Sequence, residues 1–139
     1  MKKLTIGQIQ KKLWIECKRI IRDIYQRVDG TYDCYTCEQK NLTGSNCQTG
    51  HFIPKSVCGA YLKYDLRNLR IQCMRCNCNL SGNGAVFYRN LVENEGQEYV
   101  DELFLEKQRV IKAYDHYVKI REEYAKLAQE IDNNTAPLV

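Results

Sequence analysis

Two pairs of cysteines with the spacing C-x-x-C constrain this chain more than any other feature of its sequence. The first pair is Cys34 and Cys37, and the second is Cys73 and Cys76. Each pair can present two sulfurs to one ion from a tight turn, and two pairs complete the closed tetrahedral shell of a structural zinc site. One pair alone would also suit a redox centre. The two together predict a structural Zn²⁺ bound by four thiolates.

The remaining cysteines have a different interpretation. The sequence holds eight cysteines among 139 residues. Cys47, Cys58 and Cys78 could each replace one of the four predicted ligands, but we interpret them as small buried apolar side chains. Cys17 lies on the apolar stripe of a predicted helix and is interpreted as a core residue.

The N-terminal sequence bears on the compartment, and therefore on the state of the cysteines. Residues 1–5 contain no continuous apolar stretch typical of secretory signals, and no apolar run is long enough to span a bilayer. We therefore expect a cytoplasmic protein without a membrane partner, in which clustered cysteines bind metal. The alternative is a disulfide scaffold in an exported protein.

The charge distribution is compatible with a nucleic-acid partner. The formal net charge is +4 and the sequence pI is about 8.6. Basic residues are concentrated in the first two-thirds of the chain, and acidic residues follow between positions 93 and 106. This concentration of basic residues is typical of a surface that faces phosphates, although ordinary solvated helix faces would give a similar charge pattern. Four basic side chains are predicted to contact DNA phosphates: Lys55, Arg70, Arg75 and Arg89.

Hydrophobic periodicity predicts an α+β fold. A helix is expected over Gly7–Val28, with Thr5 and Gln8 forming a capping box. Two short strands are expected near Gln48–Phe52 and Asn68–Gln72. Further helices are expected after Gly84 and over Gln97–Asp132. These elements predict an N-terminal basic helix (1–29), a zinc-bound core (30–96) and a C-terminal helical extension (97–139).

The last predicted helix carries an apolar stripe with spacings of three and four residues. This spacing is typical of a helix that packs against another helix. The stripe therefore belongs either to the core of the chain or to a homodimer contact through the C-terminal helix. Its members are Tyr117, Ile120, Tyr124, Leu127 and Ile131.

Between and beside the cysteine pairs lie residues suited to phosphodiester hydrolysis. His51 can accept a proton from water near neutral pH. A hard divalent cation, Mg²⁺ or Mn²⁺, would offset charge on the phosphate, and the amide oxygen of Asn77 is a suitable ligand. Asn68, on the neighbouring strand, can orient the imidazole. The alternative to a catalytic site is that the histidine is structural and that the two asparagines cap local structure.

The order C-x-x-C, His, Asn, C-x-x-C-Asn resembles the HNH (His-Me finger, ββα-metal) nuclease superfamily in its His-Asn-Asn variant. This resemblance implies a small zinc-stapled ββα-metal core with flanking helices. It implies that His51 is the general base, Asn68 the residue that orients it, and Asn77 a ligand of the catalytic metal. The Cys76-Asn77 ending also resembles phage recombination endonuclease VII.

The chain most resembles the NinG (Rap) family of phage recombination proteins. The motifs are Gly50-His51-Phe52, then Asn68, then Gln72-Cys73-x-x-Cys76-Asn77, followed by Gly82-Asn83, Tyr88, Leu91 and Gly96. This resemblance implies a structure-selective endonuclease that nicks branched recombination intermediates of phage DNA, in the cytoplasm of the bacterial host.

Position 50 departs from the usual HNH pattern. Many HNH nucleases have Asp or His directly before the base, and that residue binds the catalytic metal, whereas this chain has Gly50. Either His51 itself binds the metal, or an oxygen comes from Asp33, Asp65 or Gln48. Gly50 also supports a rival hypothesis, a non-catalytic zinc module that binds DNA or a recombination partner. A thiol oxidoreductase is a third, weaker hypothesis.

Overall fold

The computed structural model describes residues 2–135, so the last four residues of the predicted C-terminal extension lie outside the described part of the chain. It shows a small α+β fold with one two-stranded sheet and several helices, as predicted at this level of detail. Within residues 2–135, no helix combines the length and apolar character needed to cross a membrane. The elements are α1 (Ile6–Tyr25), β1 (Gln48–His51), α2 (Gly59–Leu62), β2 (Leu69–Gln72), α3 (Gly84–Glu95), α4 (Gln97–Glu106) and α5 (Ala113–Thr135).

Helix α1 begins as the sequence predicts and ends earlier. The Thr5 hydroxyl accepts a hydrogen bond from the Gln8 amide, and the Gln8 side chain accepts one from the Thr5 amide, which is the predicted capping box. The helix stops at Tyr25 because Gln26 adopts an extended conformation, and Val28 is fully exposed. The buried face of α1 consists of Ile9, Leu13, Cys17, Ile20 and Ile21.

Strands β1 and β2 form an antiparallel hairpin in which Gln48 pairs with Gln72 and His51 pairs with Leu69. Side chains alternate between the two faces of a sheet, and directly paired residues share a face. One face, which we call the α1 face, carries Thr49, His51, Leu69 and Ile71 and packs towards α1. The opposite face, which we call the amide face, carries Gln48, Gly50, Arg70 and Gln72.

The first hydrophobic cluster joins α1, the α1 face of the hairpin and α5. Tyr117 and Ile120 of the predicted apolar stripe are buried in this cluster. Tyr124 of the same stripe donates a hydrogen bond from its hydroxyl to the Tyr64 carbonyl over 2.6 Å. This part of the stripe is therefore used for packing within the chain.

The second hydrophobic cluster lies among α2, α3 and α4, and includes Phe52, Leu62, Phe87, Leu91 and Leu103. Here the structure corrects one prediction, since the single helix expected over Gln97–Asp132 is divided into α4 and α5. At the break, the Lys107 carbonyl approaches Gly59 so closely that a Cβ there would lie 2.8 Å from the oxygen. Gly59 also has a φ of +77°, which favours glycine.

Candidate active site and metal centre

The four cysteines of the two C-x-x-C pairs come together in the structure. Their sulfurs all lie within 4.8 Å of one another, so the cluster could hold a zinc ion. Cys73 directly follows β2, and Cys76 lies in the π-helical turn Arg75–Asn79. Backbone N–H groups of Thr36, Gln39 and Cys76 donate to the sulfurs of Cys34, Cys37 and Cys73, each over 3.4 Å. Such donors favour thiolates, which are the form that binds zinc.

The pKa values of two of the four cysteine thiols explain why the cluster suits a cation. Burial raises the pKa of the Cys34 thiol, but hydrogen bonds from its neighbours outweigh this effect and bring the pKa down to about 7. Burial and the neighbouring sulfurs raise the pKa of Cys37 to about 12. The protein alone therefore makes the Cys34 thiol more acidic than the Cys37 thiol, and a cation would be needed to stabilise four thiolates together.

The other cysteines lie outside this group of four, within the described residues. Cys47 and Cys58 are buried, as predicted, and the buried Cys17 thiol donates to the Tyr64 carbonyl over 3.5 Å. Cys78 differs from the prediction of a small buried side chain, because it is exposed. Its thiol donates to Gln48 Oε1 over 3.2 Å.

His51 is the last residue of β1, and its side chain lies on the α1 face of the hairpin. Its ring stacks on Trp14 of α1, with centroids 5.3 Å apart and planes 14° apart. His51 Nε2 lies 3.0 Å from the Lys63 carbonyl oxygen. Because a carbonyl only accepts hydrogen bonds, Nε2 carries the proton and the lone pair is on Nδ1.

The surroundings of His51 keep the imidazole neutral. Burial lowers its pKa below the ordinary value of 6.5, and the positive charges of Lys55 and Lys63 lower it further, against the opposing effect of the Lys63 carbonyl. The ring is therefore neutral at pH 7, with Nε2 fixed as a donor and the lone pair on Nδ1.

A groove of about 330 Å³ lies beside Trp14, the stacking partner of His51. It is lined by Lys11, Trp14, Lys55 and Lys63, among others, and we call it the basic groove. Lys55 was predicted as a phosphate contact and lies in this groove. Lys11 and Lys63 were not predicted. The position of Lys11, one helical turn before Trp14 on α1, was the signal available in the sequence.

Asn68 lies fully buried just before β2 and fixes the chain that follows His51. Its Oδ1 accepts a hydrogen bond from the Ile53 amide over 2.8 Å, and its Nδ2 donates to the Ile53 carbonyl over 3.0 Å. The group that contacts the imidazole is instead the Lys63 carbonyl. Asn68 therefore acts on the backbone of the site.

Asn77 lies in the π-helical turn and contacts the amide face. Its Nδ2 donates to Gln48 Oε1 over 2.8 Å. Its Oδ1 lies 3.0 Å from the point that a Cβ on Gly50 would occupy. Gln72 Oε1 lies even closer to that point, at 1.7 Å. Gln72 is a residue of this site whose role the sequence interpretation missed.

The three side chains considered as substitutes for a ligand at position 50 are engaged elsewhere. Asp33 forms an ion pair with Arg27 at 3.2 Å. Asp65 forms one with Arg67 at 2.6 Å and also accepts from the Arg67 backbone amide. Gln48 Oε1 accepts the hydrogen bonds from Asn77 and Cys78.

Arg70, predicted as a phosphate contact, is largely enclosed by aromatic side chains. The residue is 2% exposed, and its guanidinium lies 5.3–5.8 Å from the ring centroids of Tyr25, Tyr35 and Tyr99. It donates to the Tyr99 hydroxyl over 3.1 Å and lies 3.5 Å from a Glu95 carboxylate oxygen. A guanidinium held by aromatic rings and a carboxylate in this way stabilises the fold. Arg70 also lines a cavity of about 260 Å³, so its contact with a phosphate stays a prediction.

The other two arginines predicted to contact phosphates are accessible. Arg75 begins the π-helical turn after Cys73, and Arg89 lies on α3. Both side chains are exposed. Their contact with DNA stays a prediction.

Comparisons with known proteins identify relatives over nearly the whole chain. The family model described as bacteriophage lambda NinG protein matches residues 2–134. The chain is 26% identical over 136 residues to protein ninG of Escherichia phage lambda, which covers 95% of this chain and 65% of that protein. For protein ninG of Escherichia phage 933W the identity is also 26%, over 95% of this chain and 66% of that protein. Protein ninG of Salmonella phage P22 is 26% identical over 133 residues, 93% of this chain and 64% of that protein.

The chain thus spans slightly less than two thirds of the length of these curated relatives. No solved structure matches it significantly. The family match covers α1, the hairpin, both cysteine pairs and most of α5. The chain therefore belongs to the family of bacteriophage lambda NinG proteins.

Proposed function

We propose that this chain is a metal-dependent DNA endonuclease of the HNH kind. Its proposed substrates are branched recombination intermediates of phage DNA, in the cytoplasm of the bacterial host. The observation that carries this proposal is the state of His51. A neutral imidazole donates from Nε2 to the Lys63 carbonyl and has its lone pair on Nδ1. It stacks on Trp14, which lines a groove together with three lysines.

In the proposed reaction, lysines of the basic groove bind DNA phosphates and place one phosphodiester beside His51. Nδ1 takes a proton from a water molecule, and the resulting hydroxide attacks phosphorus in line with the departing sugar oxygen. The imidazolium that forms keeps its Nε2 hydrogen bond to the Lys63 carbonyl. Because phosphate contacts carry no sequence information, the preference for branched DNA would depend on the shape of the substrate.

A divalent cation, Mg²⁺ or Mn²⁺, would supply Lewis-acid stabilisation of the phosphate charge. The residues that fit such a hard ion are those with amide oxygens facing Gly50, which include Asn77. Gly50 and His51 are consecutive residues at the end of β1 and face opposite sides of the hairpin, so the scissile phosphate would have to lie across the end of this strand to meet both the ion and the base. The four-cysteine cluster would hold a structural zinc ion that fixes the turn carrying Asn77.

A nicking assay on supercoiled and branched DNA tests this proposal. Wild-type protein with zinc bound should nick both in Mg²⁺ or Mn²⁺, and should not nick when the added ion is omitted. Omission is preferable to EDTA, because EDTA would also compete for zinc. The variant His51→Ala should lose at least a hundredfold in nicking rate, because it lacks the base. Zinc content and circular dichroism should match the wild type.

The matched control is His116→Ala, which removes the second of the two histidines in the sequence. His116 stacks on Tyr61, with ring centroids 4.8 Å apart. This variant should nick at the wild-type rate. Equal nicking by His51→Ala would refute the role of His51. A zinc-loaded wild type that binds branched DNA without nicking it in either metal would favour the non-catalytic zinc module, which Gly50 also supports.

A homodimer is part of the proposal only as a means of cutting two-fold symmetric branched DNA. Because Tyr117 and Ile120 are buried within the chain, such a dimer would have to use other residues of α5. Sedimentation of the protein alone and with branched DNA would test it.

A further inference from the structure

Gln72 on the amide face has a buried oxygen that nothing in the described part of the chain satisfies. The residue is 0% exposed. Its Nε2 donates to Thr36 Oγ1 over 2.8 Å and to the Gly82 carbonyl over 2.9 Å. Its Oε1 is buried without a hydrogen-bond partner among residues 2–135. Exchanging the two amide atoms would place an oxygen against the Gly82 carbonyl, so the orientation is fixed and Oε1 is the atom that lacks a partner.

This oxygen occupies the space that a side chain at position 50 would fill. A Cβ on Gly50 would lie 1.7 Å from Gln72 Oε1 and 2.7 Å from Gln72 Cδ. No residue other than glycine fits at position 50 unless Gln72 moves. The Gln72 amide can therefore occupy its position only because residue 50 has no side chain.

A second amide oxygen faces the same point. Asn77 Oδ1 lies 3.0 Å from the Cβ position of Gly50. Its direction is set by a series of hydrogen bonds, in which Asn77 Nδ2 donates to Gln48 Oε1 over 2.8 Å and Gln48 Nε2 donates to the Ser45 carbonyl over 2.9 Å. Two orientated amide oxygens, one of them buried without a donor, thus converge beside Gly50.

We infer that Gln72 is a cation ligand that replaces the missing side chain at position 50, and that Gln72 Oε1 and Asn77 Oδ1 together bind a divalent ion, Mg²⁺ or Mn²⁺. This inference rests on the proposed endonuclease and identifies the second protein ligand of its metal. Hard divalent ions favour oxygen ligands and keep several waters. Two neutral amides bind such an ion weakly, and the phosphate of the substrate would complete the shell.

Mn²⁺ alone, titrated into zinc-loaded protein, tests the inference without measuring cleavage. Electron paramagnetic resonance counts free Mn²⁺, and NMR detects the paramagnetic broadening of side-chain NH₂ signals. The signals of Gln72 and Asn77 should broaden first. Gln72→Ala should weaken Mn²⁺ binding at least fivefold. The exposed Gln108→Ala is the matched control and should change Mn²⁺ binding less than twofold.

A double variant distinguishes the loss of a metal ligand from the loss of local folding. Gln72→Ala also removes the hydrogen bonds to Thr36 and Gly82, so weaker binding could follow from local disorder. Gly50→Asp combined with Gln72→Ala supplies a carboxylate in the space that the glutamine vacates, and it should restore Mn²⁺ binding to the wild-type level or better. Zinc content should stay at one ion per chain in all variants.

The outcomes separate this inference from the proposed function. Wild-type Mn²⁺ affinity in Gln72→Ala would overturn the role of Gln72, as would a wild type that binds no Mn²⁺. Unchanged Mn²⁺ affinity in the Gln72 variant would leave the proposed endonuclease activity intact if His51→Ala still abolished nicking. Mn²⁺ binding that depends on Gln72 in a protein that never nicks DNA would support the ligand and refute the endonuclease.

Discussion

The two faces of the β1–β2 hairpin are held in place by different interactions. On the α1 face, Leu69 and Ile71 are buried against α1, so that face is stabilised mainly by apolar area removed from water. On the amide face, Gln48 and Gln72 are held by directional hydrogen bonds and lie next to the four-cysteine cluster. Hydrophobic packing can hold a ring such as His51 in place, whereas only directional bonds can fix which way an amide oxygen points.

The largest expected effect comes from Cys73→Ser, because it tests whether the amide face depends on a metal. Structural zinc sites in small domains contribute about 10–16 kcal/mol of apparent binding free energy, which is comparable to the whole stability of a domain. We expect loss of bound zinc and collapse of the dispersed NMR signals of residues 30–83. Atomic absorption and a two-dimensional NMR spectrum measure both effects.

The control for that prediction is Cys17→Ala, which removes a buried thiol of helix α1, in the hydrophobic cluster that covers the α1 face. It should keep one zinc ion per chain and lose only about 1–2 kcal/mol of stability. If Cys73→Ser kept its zinc and its NMR spectrum, the two faces would not differ in the way we describe.

The corresponding test of the α1 face is Leu13→Ala. Leu13 is fully buried between the hairpin and α5, so its truncation should lower the free energy of unfolding by about 2–5 kcal/mol. Zinc content should stay unchanged. Ile15→Ala on the same helix is the control, because Ile15 is 60% exposed and should cost less than about 0.5 kcal/mol. Denaturant unfolding measures both variants, and equal losses would contradict the assignment of α1 as the apolar support.

The same contrast explains how much of the structure could be predicted from the sequence. The four-cysteine cluster and the limits of the two strands follow from local motifs, so they were predicted to within one or two residues. The capping box of α1 is also local. The break between α4 and α5 was missed because residues 107–112 contain no glycine or proline to signal it, and the close approach of Lys107 to Gly59 at the break is distant in sequence.

The candidate site shows the same limit at the level of single side chains. Arg70 was predicted as a phosphate contact because it is basic, and its position against three tyrosines from separate segments could not be foreseen from the sequence. The proximity of Gln72 to Gly50 likewise depends on the register, which composition and spacing do not determine. The type of a residue can be read from a motif, whereas its partner requires the three-dimensional structure.

A smaller effect is expected from the basic groove on the α1 side. The double variant Lys11→Ala and Lys63→Ala should reduce the slope of log K against log salt by about two, since each phosphate contact adds about one. Lys119→Ala combined with Lys126→Ala, on α5, removes the same charge from exposed positions and should leave the slope within about half a unit of the wild type. Fluorescence anisotropy with a branched DNA at several salt concentrations measures the slope. Equal slopes for both double variants would mean that the groove does not face phosphates.

The smallest effect concerns pH, and it separates the catalytic role of His51 from its structural role. Burial lowers the pKa of His51 and of His116 in the folded protein below the unfolded value near 6.5. Below pH 6.5 the unfolded chain binds protons that the folded protein still excludes. The free energy of unfolding therefore decreases as the pH is lowered from 6.5, until the pH passes the folded pKa of each histidine. Each histidine contributes at most about 1.4 kcal/mol per pH unit within that window.

Replacing either histidine with glutamine should therefore flatten the dependence of stability on pH, whereas only His51 should govern the rate. In the wild type, nicking should stay constant from pH 7.5 down to about 6.5, and it should fall tenfold per pH unit only below the lowered pKa of His51. His116→Gln should keep that acid limb unchanged. An acid limb with its midpoint well above 6.5 would show that the imidazole is not excluded from water by Trp14 and the hairpin, and the α1 face would then lose its proposed part in holding a neutral base.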